Sequence, residues 1–107
     1  MDPLLPIAQR KLDLVYPTGT RTTLIIELGP ICTREESFRC PVSLRGFHET
    51  LPDIAGADSL QALLLAVDMV HSVLEAFVRL GGKIYYPGTD NVYDLNRFLC
   101  PTRRNPA

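Results

Sequence analysis

The chain is short of cysteine and histidine. Its three cysteines are an odd number with no Cys-x-x-Cys pair, and its two histidines, His48 and His71, lie far apart. This argues against a disulfide framework, so Cys32, Cys40 and Cys100 are expected to be free thiols in a reducing compartment. No glycine cluster has Walker or dinucleotide spacing, and Gly29-Pro30, Gly81-Gly82 and Pro87-Gly88-Thr89 read as turns or caps. Charge of one sign is missing too. The formal net charge is −1, and the eleven basic residues are scattered apart from the pairs Arg10-Lys11 and Arg103-Arg104, which leaves no electrostatic footprint for nucleic acid or an anionic surface. The longest uninterrupted apolar run, Ala62 to Val67, is far shorter than a membrane span. Met1 to Gln9 has neither the basic start nor the apolar run of a signal peptide. These absences predict a cytoplasmic protein whose partners include neither nucleic acid nor membrane.

What is present is enough apolar residue for one core. With 107 residues and 46% hydrophobic content, the chain predicts one domain over residues 8–100, after a proline-punctuated leader at 1–7 and before a disordered tail at 101–107. Arg10 to Tyr16 alternates, with Leu12, Leu14 and Tyr16 on one side and Lys11 and Asp13 on the other, as in a half-buried strand. Pro17-Thr18-Gly19-Thr20 is a turn, and Arg21 to Leu28 is its hairpin partner. Gly29-Pro30 ends that strand, and Thr33 to Glu36 reads as a polar connection. From Ser37 to Arg45, Phe38, Cys40, Val42 and Leu44 alternate with polar residues. Pro41 has no amide to give a ladder, which predicts an edge strand or a bulge. Phe47 to Ile54 is a weaker fourth strand, and Lys83 to Tyr86 a short fifth. Val92 to Cys100 reads as a further strand or a helical turn.

Asp58 to Gly82 is the strongest signal. Asp58 and Gln61 form a capping box with Asp in place of Ser or Thr, and Gly81-Gly82 supplies the left-handed residue that closes a helix. On a wheel at ~100° per residue, Leu60, Leu63, Leu64, Val67, Val70, His71, Leu74, Phe77 and Val78 fall on one broad face. Gln61, Asp68, Ser72, Glu75 and Arg79 occupy a polar strip roughly 60° wide on the same wheel. The arc centred on Val67 is expected to meet the sheet. The remaining arc, Ala62, Leu65, Ala66, Met69, Val73, Ala76 and Leu80, is also apolar, and its Leu65, Met69, Val73, Ala76 and Leu80 form a candidate interface. The class is α+β: an antiparallel sheet of about four to five strands in two hairpins, with one long helix across one face.

Phe38-Arg39-Cys40-Pro41, Gly46, and the run Gly56-Ala57-Asp58-Ser59-Leu60-Gln61-Ala62-Leu63-Leu64-Leu65-Ala66 resemble a family of small uncharacterised bacterial proteins. Members often carry tryptophan where this chain has Phe38. The resemblance implies a strand followed by a helix and a bacterial origin, and it transfers no catalytic residue.

The candidate chemistry is sparse. His71 stands three residues after Asp68 and four before Glu75, so both carboxylates reach its imidazole from adjacent turns. That arrangement reads either as a metal or acid/base site or as a boundary histidine covering apolar surface. A zinc site needs at least three protein ligands, and this helix has no second histidine. Cys40 shares a face with Phe38, Val42 and Leu44, which makes it a buried thiol more than a nucleophile. Tyr85, Tyr86 and Tyr93, around Asp90 and Asn91, could line a pocket or cover a core edge. The acidic residues Glu35, Glu36, Glu49, Asp53 and Asp58 either face a basic partner or serve solubility. The sequence therefore assigns no catalytic, cofactor-binding or metal-ligating residue, and it leans away from an enzyme. It points to an interaction module of the immunity or adaptor type, a homodimer or the binder of a protein partner. The alternative is a ligand-binding protein or enzyme with a pocket near His71 and the Tyr85 to Tyr93 loop.

Overall fold

Alternation sets the first two elements. In the computed structural model, which describes residues 5–47 and 51–95, β1 (Ala8–Val15) and β2 (Arg21–Leu28) pair antiparallel over their full length, with Leu12 opposite Leu24 and Leu14 opposite Thr22. Leu12, Leu14, Leu24, Ile26 and Leu28 are buried on one face. At the turn, the Gly19 amide donates to the Tyr16 carbonyl at 2.8 Å, with Gly19 at φ +96°.

The segment expected as a polar connection is instead a strand. β3 (Cys32–Arg34) pairs with β4 (Ser37–Cys40), and Arg34 stands opposite Ser37. Glu35 and Glu36 close this hairpin at φ 52° and 65°. Two central residues with positive φ define the turn that suits strand twist, usually written Asn-Gly. Two glutamates carry no such signal, so the hairpin was hidden in the sequence.

Pro41 is not a bulge, and the edge expected for its strand holds for Val42–Arg45, at the edge of the larger sheet, but not for Ser37–Cys40, in the middle of the smaller one. The alternation of Phe38, Cys40, Val42 and Leu44 runs unbroken across Pro41, but the pairing partner changes. Cys40 stands opposite Ile54 of β6 (Ile54–Gly56), while Val42 of β5 (Val42–Arg45) stands opposite Leu28. Pro41 gives no amide to either ladder, and its carbonyl accepts from the Gly29 amide at 2.9 Å. The one sheet expected from the sequence is therefore two: β5-β2-β1-β7, where β7 is Lys83–Tyr85, and β3-β4-β6. The fourth strand begins at Ile54, where the sequence reading ended it. Residues 48–50 of that predicted strand lie outside the described residues. So do residues 1–4 of the leader, the tail at 101–107, and 96–100 with Cys100.

The helix α1 (Ser59–Arg79) starts and stops as expected. Asp58 Oδ1 accepts from the Gln61 amide at 2.8 Å. The Gln61 side chain reaches one residue further back than a capping box requires, accepting from the Ala57 amide at 2.6 Å. At the far end Gly82 donates to the Phe77 carbonyl and Gly81 to the Val78 carbonyl, both at 3.0 Å, with Gly81 at φ +104°. This double bond is a Schellman closure.

The rotation of α1 about its axis differs from the expected one. The buried stripe is Ala62, Ala66, Val70, Leu74 and Phe77, turned ~80° on the wheel from the arc centred on Val67. The first turn of α1 lies close against β6, where a Cβ at Gly56 would sit 2.4 Å from the Ala62 amide nitrogen, and Ala62 and Ala66 take fully buried positions. Leu74, Val70 and Phe77 then fill the larger space over Leu12, Leu24, Leu44 and Ile84. By length and composition alone α1 is apolar enough to cross a membrane; in this fold its stripe packs on strands.

Candidate functional site

Turning the helix onto its alanines leaves leucines outside. Leu60 is 63% exposed, Leu64 57% and Val78 43% on one flank of the polar strip, while Leu65 at 44% and Leu80 at 80% stand on the other. Of the candidate interface residues, Leu65 and Leu80 are thus in contact with water, Met69 and Val73 are half-buried against the core, and Ala76 is half-buried. Beside Val73, Ala76 and Leu80 runs an apolar groove of about 460 Å³ whose other wall is Tyr16, Pro17, Phe47 and Leu51. Tyr16 and Phe47 each meet the Phe77 ring edge-on, with centroids 5.2 and 5.5 Å apart. Such contacts fix the floor of the groove.

The outer face of the larger sheet is of a different kind. Glu27 Oε2 accepts from Gln9 at 2.9 Å and from Arg45 at 3.1 Å. Asp13 Oδ2 accepts from Arg21 Nε at 3.0 Å and from the Gly88 amide at 2.9 Å. Arg21 goes on to Asp90 and to the Thr89 carbonyl, and its guanidinium lies over the Tyr85 ring. The Gly88 amide, and after it Arg21, hold the Asp13 carboxyl below its ordinary range against the opposing effect of burial. This cluster ties the 86–91 turn to the first hairpin. It was missed in the sequence, although the hairpin register contains it: Asp13 and Arg21 are diagonal neighbours on one face once Val15 is opposite Arg21.

Asp68, His71 and Glu75 lie on α1 as the spacing requires, Asp68 and Glu75 exposed and His71 half-buried. Among the described residues no group of three His, Cys, Asp or Glu side chains is placed to hold a metal ion. A second groove, also about 460 Å³, is lined by Val78, Ile84, Tyr85, Val92, Tyr93 and Leu95. Its lining does not include Asp68, His71 or Glu75. Tyr93 is buried, bonded through its hydroxyl to Arg10, and packed edge-on against Tyr86 at 5.2 Å. Burial pushes its hydroxyl pKa up. Cys40 is fully buried and its thiol is likewise raised by burial, whereas Cys32 is exposed.

The fold is thus a small α+β domain, two antiparallel sheets under one helix, with exposed apolar side chains along that helix and at Leu5, Ile7, Tyr86 and Val92. The chain belongs to the family described as Domain of unknown function (DUF6968), whose model matches residues 8–96. No curated protein and no solved structure matches it.

Proposed function

We propose that this chain is a non-enzymatic protein-interaction module of the immunity or adaptor kind, which self-associates or docks a protein partner through the flanks of α1. The observation that carries the reading is the exposure of Leu65 and Leu80 at either end of an arc that borders an apolar groove. Contiguous apolar surface of this kind marks association sites more than solvent faces. The ion-paired outer sheet face is the natural solvent face of the molecule. Light scattering tests the reading. A species of twice the 11.9 kDa chain mass is expected at micromolar concentration, and a strict monomer at every concentration refutes self-association. Binding to neutral lipid vesicles would assign the flanks to lipid and overturn the protein-partner reading.

The groove beside Tyr85 and Tyr93 favours a second reading, a small ligand-binding protein, because it combines apolar walls with two hydroxyl-bearing rings. Metal analysis and thermal-shift screening separate the two. A ligand that prefers the folded state raises its stability.

A further inference from the structure

Leu65 and Leu80 lie equally far along α1 from the Ser72–Val73 peptide, and so do Met69 and Ala76. An arc with that spacing is complementary to itself when turned end for end. We propose that it is the interface of a twofold homodimer in which the two α1 helices pack antiparallel and cross at the Ser72–Val73 peptide. The proposal rests on the self-association put forward above and adds its partner, a second copy, and its register.

About that axis Leu65 meets the partner's Leu80, and Met69 meets the partner's Ala76. The contact is isologous, so each pairing occurs twice. A long side chain opposite a methyl group lets the helices approach, while the two leucine pairs close the ends. Leu65 is delivered to the side of the partner's groove where Val73, Ala76 and Leu80 form the wall.

Charge selects this flank over the other. In an antiparallel pair the residues bordering the arc on one side face the same border of the partner. On this flank that sets Arg79 and Glu75 each about two residue positions from register with the partner's Asp68, ~3 Å along the axis, and Arg79 lies nearer the arc than Glu75 by ~40° on the wheel. Neither Arg79 nor Asp68 forms an ion pair within its own chain among the described residues, so both are available to the twofold contact. The opposite flank, with Leu60, Leu64 and Val78, would pair about Met69 and set Asp68 beside the partner's Asp68. Like charges in that position oppose association.

Three measurements on the full chain test the register, with circular dichroism confirming that each variant folds. Sedimentation equilibrium of the wild type should give a dimer. Asp68→Arg and Arg79→Asp should each weaken it by about tenfold or more, because each sets like charges together, and the double variant should recover it. Ser72→Cys, in a background of Cys32→Ser and Cys100→Ser, should be joined by a short bismaleimide into a covalent dimer, because the proposed crossing point brings this position beside its own copy. A dimer indifferent to the charge exchange and left unlinked at position 72 overturns this register and leaves self-association standing. A monomeric wild type overturns both.

Discussion

The rotation of α1 is open to a direct energetic test with Leu64→Ala and Leu74→Ala. On the sequence wheel both leucines belong to the arc expected to face the sheet, and equal losses would follow. In the structure Leu74 is fully buried and Leu64 is 57% exposed. Full burial of a leucine stabilises by ~1.5–3 kcal/mol, and Leu64 hides less than half of itself, so its truncation should cost only ~0.6–1.3 kcal/mol. Leu74→Ala removes the same atoms from a closed space and leaves a cavity, which raises the cost to ~2–5 kcal/mol. Ala66→Leu completes the test. Ala66 is at 0% exposure on the stripe that meets the strands, so the larger side chain should cost ~1–3 kcal/mol by overpacking. Urea denaturation at one fixed protein concentration measures all three, and the slope of the transition should not change. Equal losses for Leu64→Ala and Leu74→Ala, with Ala66→Leu neutral, would refute the observed rotation and restore the arc centred on Val67.

Replacing Glu35-Glu36 by Asn-Gly should stabilise the protein by ~1–2 kcal/mol in the same assay, since at these two positive-φ positions asparagine is tolerated better than glutamate and glycine has no Cβ at all. Gly56→Ala should lower stability by at least ~1–3 kcal/mol, because its methyl group would meet helix backbone at 2.4 Å and backbone cannot swing aside. The Asp13 carboxyl is held below its ordinary range, so its stabilising effect is complete above its unfolded value of about 4 and is lost as pH falls through the folded value. The stability gap between wild type and Asp13→Asn, measured by thermal melting, should be widest near neutrality and shrink as pH drops below about 4. A gap constant down to about pH 2 would show that the carboxylate's charge is not what the network uses. In native buffer a thiol reagent should modify Cys32 rapidly and reach Cys40 only after denaturation, as their exposures and the raised Cys40 pKa require.

The sequence made the elements with a strong period legible and hid those whose geometry depends on distant partners. The first hairpin was readable because Leu12, Leu14, Leu24 and Ile26 alternate around an obvious turn. The helix was readable at both ends because Asp58 and Gly81-Gly82 carry specific capping chemistry. β3 was not, because Glu35-Glu36 is an unfavourable choice for the turn that forms it. The change of sheet at Pro41 was only half readable. A missing amide reveals that the ladder is interrupted, but the second sheet is defined by β6, which stands beyond Pro52 and pairs with β4 for only three residues. As for the candidate site, the second apolar arc of the wheel contains the fully buried Ala62 and Ala66, half-buried Met69, Val73 and Ala76, and exposed Leu65 and Leu80. It could not rank Ala62 and Ala66 above Leu60 and Leu64 as core positions.

That ranking was out of reach for a general reason. A hydrophobicity wheel weights a residue by what it would gain from burial, so it points the leucines inward. Packing also weights a residue by how closely two backbones pass, and a Cβ at Gly56 on β6 would sit 2.4 Å from the Ala62 amide nitrogen in the first turn of α1. The two criteria disagree at Ala62 and Ala66, which are fully buried, and at Leu60 and Leu64, which are 63% and 57% exposed. The leucines displaced from the sheet then line both flanks of α1. Whatever association the protein undergoes starts from that leucine-bearing surface.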